Sequence, residues 1–343
     1  MFDLIDIPMI WAFIIALAIF LYVLLDGFTL GVGILFPLGR SDRARDLMMS
    51  SVSPVWDGNE TWLVLGAGGL FAAFPLAYSI LMPAFYMPIG FMLTALVLRG
   101  IAFEFRFKAG PISRKLWDHS FHLGSLAAAF SQGVILGSFV QGIDVKNNAF
   151  AGGAFDWLTP FSFVTGWALV WGYALLGATW LIIKTERQHQ TWARNAAQIV
   201  TVGVLGFMVL ISVWVLFLDT SIPERWGLSY PDFHLGRMAL ISPVPLLVIF
   251  FAYKLMSSVR GGATYWPFLS AVALFSLGYI GLGISIFPAM VPYHVDVWEA
   301  AAAPNSQEFL LVGTLFLLPL ILAYTAYAYW VFRGKVKVDE GYH

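Results

Sequence analysis

The chain has 343 residues, of which 59% are hydrophobic and 11% are charged. A soluble domain carries about 25% charged residues, so this chain has too little polar surface to face water and lipid must surround most of it. The net charge of −1 offers no basic surface for nucleic acid. The absence of cysteine excludes disulfides, thiolate-bound iron–sulfur clusters, covalently attached c-type haem and cysteine nucleophiles.

The chain begins with a short acidic segment, in which Asp3 and Asp6 stand where a secretory signal peptide requires basic residues. The apolar run that follows is too long for a signal peptide and is predicted to be the first membrane span. A span needs about 20 mostly apolar residues to cross roughly 30 Å of hydrocarbon. The sequence therefore predicts an all-α, polytopic membrane helix bundle, with residues 1–343 forming a single integral membrane domain. The nine predicted spans lie near residues 9–36, 52–75, 79–104, 118–141, 161–183, 197–219, 237–257, 264–288 and 308–332.

Basic residues are divided unequally between the two sets of loops. The loops after spans one, three, five and seven, together with the C-terminal tail, hold fifteen, whereas the opposite loops hold only Lys146, Arg225 and Arg237. Because loops rich in Lys and Arg stay in the cytoplasm, we predict that the N-terminus is outside and the C-terminus is cytoplasmic. The alternation also supports the count of nine, since one span more or fewer would scramble it.

A few ionisable residues fall inside the predicted spans, where a charge near the bilayer centre costs about 2.5–3.5 kcal/mol. They are Asp26 in span one, Asp57 and Glu60 in span two, and Arg99 and Glu104 in span three. Asp57 and Glu60 are three residues apart and share one helical face. A short hairpin between spans one and two would bring Asp26 close to them. Acids in this position suit a proton relay, whose carboxyl groups must gain and lose protons near neutral pH.

Structural interpretations compete with the relay. Arg99 is either an ion-pair partner of Asp57 or Glu60 that fixes the packing of spans two and three, or a group that tunes the pKa of these acids. For Asp26, a hydrogen-bonding role at the adjacent Gly27 is the competing hypothesis. Both interpretations require the same residues to be buried, so sequence alone leaves them open.

Other polar residues are predicted to lie near span ends. Glu104 is expected to pair with Arg106 at the membrane interface. A bis-histidine b-type haem requires imidazoles on facing helices at membrane depth, but the six histidines lie at span ends, in loops or in the tail. We therefore assign neither a haem nor a metal to this chain. His119 and His122, at the start of span four, suit either an interfacial position or contact with a metal or a quinone carbonyl.

Distinctive motifs occur in order along the chain: 26–33 (DGFTLGVG), 40–42 (RSD), 56–63 (WDGNETWL), 68–75 (GGLFAAFP), Phe85-Tyr86, Phe287-Pro288, Ser306-Gln307 and Tyr329-Trp330. Over most of the chain they resemble the subunit II family of cytochrome bd-type ubiquinol oxidases. The combination of D-G-F-x-x-G-x-G with W-D-G-N is the most specific part of the match. The short outer loops are similar to those of compact members, which include the cyanide-insensitive type.

The resemblance implies a subunit of an electrogenic quinol oxidase of the bacterial inner membrane, which couples quinol oxidation to the reduction of O2 to water. In this family the first subunit binds the oxidisable quinol and all three haems, two b-type and one d-type. The second subunit packs against it, helps deliver cytoplasmic protons, and in some members holds a structural quinone. Trp56 and Trp62 are our candidates for contact with such a quinone or for packing. A small single-helix accessory subunit and lipid complete the expected partners.

The matched motif assigns the proton role to Asp57, with Asp26 as a neighbour. Glu60 departs from the family, which often has Gln at that position, and it adds a titratable group. We expect a proton pathway of Asp57, Asp26 and Glu60, with Arg99 as ion-pair partner or pKa tuner, and no residue that acts directly on the substrates.

Two other functions compete with this one. A proton-coupled permease also uses acids within its spans, but transporters commonly show paired, Gly/Pro-broken spans in two related halves, and the sequence has no such correspondence. A purely structural assembly subunit would use its polar residues only to set helix register. Charge-neutral substitution separates a scaffold, which would lose assembly, from a relay, which would keep its haems and lose turnover.

Overall fold

The structure, a computed structural model, describes residues 6–218, 221–228 and 243–336. Within these ranges the chain is mainly helical, with two short 3-10 turns, Phe36–Leu38 and Arg106–Lys108. The α-helices are α1 Ile7–Leu35, α2 Asp42–Ser50, α3 Trp56–Ala73, α4 Pro75–Phe105, α5 Pro111–Gln141, α6 Pro160–Lys184, α7 Arg187–Val215, α8 Ser221–Arg225, α9 Pro243–Arg260, α10 Trp266–Ile286 and α11 Pro304–Val331. The strands pair as two antiparallel hairpins, β1 Val145–Lys146 with β2 Ala149–Phe150 and β3 Ala289–Val291 with β4 Val295–Asp296.

Eight of the described helices are long and apolar enough to cross a membrane, which confirms a polytopic helical membrane protein. Together with α3, they coincide in order with the nine predicted spans. α3 is not one of the eight because Asp57, Asn59 and Glu60 occupy its first two turns and interrupt its apolar run. The start of the seventh predicted span, 237–242, lies outside the described residues, as do Arg237, His234, Lys337 and His343.

Two helices begin well before their predicted spans. α5 starts at Pro111 rather than near 118, and α7 starts at Arg187 rather than near 197. Both carry charged first turns, which a search for apolar runs does not register. The predicted hairpin between spans one and two contains an additional helix, α2, capped by the hydroxyl of Ser41, which accepts a hydrogen bond from the backbone N–H of Ala44.

Small residues bring the central helices together. α1 packs against α3, α5 and α6. It meets α6 where Gly31 faces Gly177, so that a Cβ atom on Gly31 would overlap the carbonyl group of Tyr173. α5 meets α6 at Gly133, where a Cβ atom would lie 2.7 Å from the Cα atom of Gly166. Because glycine allows helix backbones to approach closely, α1, α5 and α6 form a tight centre for the bundle.

The last helix, α11, lies at the edge of the bundle, with only Gln307 and Leu311 buried. The side chain of Gln307 donates to the carbonyl oxygen of Ala73 over 2.8 Å. The backbone carbonyl oxygen of Gln307 accepts from Nε1 of Trp11 over 3.1 Å. The start of α11 is therefore bonded to the end of α3 and the start of α1.

The opposite end of α11 meets the turn between α6 and α7. Lys184 donates to the carbonyl oxygen of Gly334 over 3.2 Å, and Lys335 donates to the carbonyl oxygen of Thr185 over 2.7 Å. We call this end of the bundle, where α1, α4, α6, α9 and α11 finish, the basic end.

Candidate functional site

The side chain of Arg99 on α4 is fully buried and joins two of the predicted acids. Its Nη2 atom donates to Oδ1 of Asp26 over 2.8 Å and to Oε1 of Glu60 over 2.7 Å. Its Nη1 atom donates to the hydroxyl of Thr29 over 3.2 Å, and that hydroxyl donates to Oδ1 of Asp26. Helices α1, α3 and α4 therefore meet at one buried group of side chains, which we call the Arg99 cluster (Asp26, Thr29, Glu60 and Arg99).

Asn59 fixes the turn of α3 that holds Glu60. Its Nδ2 atom donates to the carbonyl oxygen of Leu25 on α1 over 2.8 Å, and its Oδ1 atom accepts from the hydroxyl of Tyr329 on α11 over 2.9 Å. The sequence motif contains Asn59, but sequence reasoning gave it no role. The available signal was a polar amide within an apolar run, one residue before an acid.

Asp57 lies outside the Arg99 cluster. It occupies the first turn of α3, its side chain is exposed, and it makes no hydrogen bond or ion pair with the described residues. The predicted choice of Asp57 or Glu60 as partner of Arg99 is resolved in favour of Glu60, and Asp26 is a second partner. The structure thus brings together three of the four predicted charged residues and leaves Asp57 on the surface of the chain.

The two tryptophans of the motif pack between helices. The ring of Trp56 stacks on Phe103 with centroids 4.8 Å apart and also contacts the position of Gly100 on α4. Trp62 is fully buried beside Tyr22 on α1, and its Nε1 atom has no hydrogen-bond partner in the part of the chain that the structure describes. Both contribute to packing, which was one of the two roles predicted for them.

The Arg99 cluster holds one cation against two carboxyl groups in a dry environment. The Asp26 side chain has no exposed surface, whereas 26% of the Glu60 side chain is exposed. Buried ions are stable only when paired, and removing one partner of such a pair costs about 3–5 kcal/mol. Among the described residues, Oδ2 of Asp26 and Nε of Arg99 have no hydrogen-bond partner. The cluster is therefore held together, but it is not saturated with hydrogen bonds.

A second ion network at the basic end corrects the prediction for Arg106. This buried side chain bonds to Asp118 on α5 over 2.5 Å and to Asp46 on α2 over 2.7 Å. Arg114 also pairs with Asp46. The predicted Glu104–Arg106 pair is wrong: Glu104 is exposed, and the unpredicted helix α2 supplies the acid.

Neither histidine at the start of α5 points to a metal. Nδ1 of His122 lies 3.1 Å from the carbonyl oxygen of Gly33, and Nδ1 of His119 lies 2.7 Å from that of Lys115. In residues 6–218, 221–228 and 243–336, no group of three or more His, Asp or Glu side chains is arranged to hold a metal ion.

A groove of about 620 Å³ opens between α4 and α5. Its lining is mainly apolar and includes Phe91, Leu98 and Leu123. Trp56 and Trp62 are not among the lining residues, so the groove is separate from the motif tryptophans.

The bundle and its buried ions define a class of protein. Ionisable side chains are rare within membrane spans and mark ion or proton pathways when they occur. The Arg99 cluster, built from three adjacent helices, therefore defines a polytopic membrane protein with a buried ion-pair network inside its helix bundle.

The chain belongs to the family described as cytochrome bd terminal oxidase subunit II, whose sequence profile matches residues 7–332. It is 26% identical over 361 aligned positions to the cytochrome bd-I ubiquinol oxidase subunit 2 of Escherichia coli (strain K12), covering 96% of this chain and 95% of that one. It is 28% identical over 345 positions to the cytochrome bd ubiquinol oxidase subunit 2 of Bacillus subtilis (strain 168), covering 96% and 97%. A chain of the bd oxidase from Geobacillus thermodenitrificans has the same fold, with a TM-score of 0.74 at 12% identity and coverage of 95% and 98%.

Proposed function

We propose that the chain is the haem-free second subunit of a quinol-oxidising, O2-reducing complex of the bacterial inner membrane. Its family and the names of its relatives support a quinol oxidase with a first-subunit partner. Two b-type haems and one d-type haem, held by that partner, supply electron transfer and oxygen reduction. His119 and His122 lie in the third and fourth turns of α5, His189 lies in the first turn of α7 and His294 lies between β3 and β4, positions that support a haem-free subunit.

The proposed topology has nine spans, an external N-terminus and a cytoplasmic C-terminus. α3 counts as a span because two of its polar side chains bond within the protein: Asn59 to α1 and α11, and Glu60 to Arg99. Polar groups that are satisfied internally are compatible with the membrane interior. The concentration of Lys and Arg at the basic end supports its cytoplasmic location.

The partner subunit is proposed to pack on the exposed stripe of α3 and α4. An acid is costly in lipid, and glycines without neighbours allow a foreign helix to approach closely. Both features occur on this stripe, because Asp57 is exposed and a Cβ atom on Gly68 or Gly90 would meet nothing within 4 Å. By contrast, α11 has no charged residue between 309 and 331, and its exposed face suits lipid. The exposed stripe consists of Asp57, Thr61, Val64, Gly68 and Phe71 on α3 and Pro83, Tyr86, Gly90, Leu93 and Val97 on α4.

The chain is also proposed to carry protons from the cytoplasm toward the partner. Reduction of oxygen consumes protons in a region that lipid and protein keep dry, so supply from the cytoplasmic side builds a membrane potential without a pump. Asp57, on the partner-facing stripe, is the first acid of this path, and Glu60 and Asp26 are its auxiliaries. The observation that carries the proposal is the buried Arg99 cluster, which begins one helical turn from Asp57 and holds more acids than cations.

Turnover of the purified two-subunit complex tests the role of Asp57. An Asp57→Asn complex with intact haem content is expected to lose about tenfold or more of its oxygen consumption, since a positioned proton-transfer group contributes at least that much. Asp144→Asn, at an exposed site in the loop before β1, is the matched control. Unchanged oxygen consumption in Asp57→Asn would remove this residue from the path.

A purely structural subunit is the second candidate, favoured by the double pairing of Arg99. Glu60→Gln separates the two functions because it removes a titratable group while keeping the shape of the side chain. A relay keeps its haem content and loses turnover in this variant. If the subunit is a scaffold, Glu60→Gln lowers the amount of assembled complex and the total turnover by the same factor, so the turnover of each haem-containing complex is unchanged.

A further inference from the structure

Three side chains from three helices form a hydrogen-bonded series beside the Arg99 cluster. The hydroxyl of Tyr173 on α6 donates to Oε1 of Gln132 on α5 over 2.7 Å. Nε2 of Gln132 then donates to the hydroxyl of Tyr22 on α1 over 2.8 Å. Both tyrosines are buried and Gln132 is half-buried. We call this series the Gln132 chain (Tyr173, Gln132 and Tyr22).

The hydrogen bonds of the Gln132 chain run in one direction, from Tyr173 through Gln132 to Tyr22, and Tyr22 is the member nearest Asp26 along α1. In an amide side chain Oε1 only accepts and Nε2 only donates, so Gln132 forces the hydroxyl of Tyr22 to use its lone pair for the amide. The hydrogen of the Tyr22 hydroxyl has no acceptor in the part of the chain that the structure describes. One helical turn further along α1, the buried Oδ2 atom of Asp26 has no donor. Tyr22 and Asp26 are four residues apart and so lie on the same face of α1.

Gly27 gives the series its place in the fold. A Cβ atom on Gly27 would lie 2.7 Å from Cε1 of Tyr173, so the ring of Tyr173 lies directly across this position. At Gly31 the backbone of Tyr173 itself lies directly against α1. Gly27 and Gly31 belong to the family motif and have no side chains, so they allow Tyr173 to lie against α1 while its hydroxyl bonds to Gln132.

The two acids of the Arg99 cluster have unlike surroundings. Asp26 has no exposed surface, and it accepts hydrogen bonds from Thr29 and Arg99. Glu60 is partly exposed and, among the residues that the structure describes, bonds only to Arg99. The other charged or titratable groups that act on the pair are Tyr22 on α1, Asp57 on α3, Tyr173 on α6 and Tyr329 on α11.

We propose that Gln132 is a positioning residue: it accepts from Tyr173, donates to Tyr22 and so leaves the hydroxyl hydrogen of Tyr22 free for Asp26. Asp26 then remains the fixed counter-ion of Arg99, and the exchangeable proton of the cluster resides on Glu60. This inference rests on the proposed proton-uptake function and assigns its working acid. The buried cation of Arg99 balances one carboxylate. A second negative charge beside the first is disfavoured, so one of the two acids keeps its proton. Asp26 accepts from Thr29 and Arg99 and has no exposed surface, whereas the exposed surface of Glu60 permits exchange of the retained proton.

Isotope-edited infrared spectroscopy of the two-subunit complex locates this proton without requiring turnover. The C=O stretching band of protonated carboxyl groups is recorded with and without aspartate that carries carbon-13 in its side-chain carboxyl group. The Glu60→Gln complex defines the part of the band that belongs to the cluster. In the wild-type complex this part is expected to be unmoved by labelled aspartate. In Gln132→Leu and Tyr22→Phe, part of it is expected to show the carbon-13 shift, because the proton moves to Asp26.

Tyr279→Phe is the matched control, since Tyr279 also donates a hydroxyl hydrogen bond to α1, at the carbonyl oxygen of Ala16 over 2.8 Å, but lies outside the Gln132 chain. Its band is expected to match the wild type. Three results would overturn the proposal. The first is a cluster band that already shifts with labelled aspartate in the wild type, the second is a band that stays unmoved in both variants, and the third is a band that shifts equally in Tyr279→Phe. These outcomes are independent of the oxygen consumption of the Asp57→Asn complex, so the assignment of the proton and the proton-uptake function fail separately.

Discussion

The hydroxyl of Tyr329, on the last helix, donates to Oδ1 of Asn59 over 2.9 Å, although 270 residues separate them along the chain. Because the same Asn59 side chain donates to Leu25 on α1, one amide joins α1, α3 and α11 beside the Arg99 cluster. Its loss would remove the bond from α3 to the carbonyl oxygen of Leu25 and leave the half-buried hydroxyl of Tyr329 without its acceptor, so Asn59 should matter more to stability than either of the bonds taken singly.

Asn59→Leu is expected to destabilise the complex by about 1–3 kcal/mol, since it removes the bond between α3 and α1 and leaves the hydroxyl of Tyr329 without an acceptor. Tyr329→Phe removes only the bond to α11 and leaves Asn59 bonded to α1, so we expect a smaller loss of about 1 kcal/mol. Thermal retention of the haem absorbance in the purified complex measures both. Equal midpoints for the two variants would show that Asn59 does not join the helices as described.

Arg99→Leu is expected to prevent assembly, because it leaves two buried acids without a cation at a cost of about 3–5 kcal/mol. Adding Glu60→Gln removes one of those acids, so the double variant should recover part of the assembled complex. The yield of haem-containing complex across the four combinations forms a double-mutant cycle. Strictly additive losses would mean that Arg99 and Glu60 do not interact.

Single cysteines test the proposed orientation, since the chain contains none. Ser113→Cys lies at the basic end and Ala151→Cys lies in the loop after β2, and both positions are exposed. In spheroplasts a membrane-impermeant maleimide is expected to label Ala151→Cys and to spare Ser113→Cys. Inverted vesicles should give the opposite pattern. Labelling of both positions from the same side would show that α5, which separates them, does not cross the membrane.

Gly31→Ala is expected to disrupt the contact between α1 and α6, because its methyl group would overlap the backbone at Tyr173. Overpacking of this kind costs about 1–3 kcal/mol, and a clash with backbone has little room to relax. Gly206→Ala on α7 is the control, as its Cβ atom would meet nothing within 4 Å. The amount of assembled complex at equal expression is the measurement, and parity between the two variants would contradict the close approach.

Most of the helices could be predicted from the sequence because each membrane span is a long apolar run. The helix α2 was missed because its nine residues are amphipathic and lie between two spans, where a search for apolar runs finds nothing. The consequence was the wrong partner for Arg106, since Asp46 could not be located opposite it.

The candidate site was only partly predictable for a related reason. The residue types at 26, 57, 60 and 99 identified the ionisable groups, but the rotation of each helix decides which of them meet. That rotation is set by close contacts such as Gly31 against Gly177 and by Asn59 against Leu25, which connect residues far apart in sequence. Gln132 gave no signal because its role depends on two tyrosines from other helices.

The attachment of α11 has a consequence for biogenesis. Each of its anchors, at Ala73, Asn59 and Lys184, belongs to a segment synthesised earlier, so the final helix closes a bundle that has already been inserted. A ribosome that stalls before Pro304 would release a product in which Asn59 still lacks its last partner. In such a product the amide of Asn59 would keep its bond to α1 and lack the hydroxyl of Tyr329, so α11 supplies the contact that completes the pairing of Asn59.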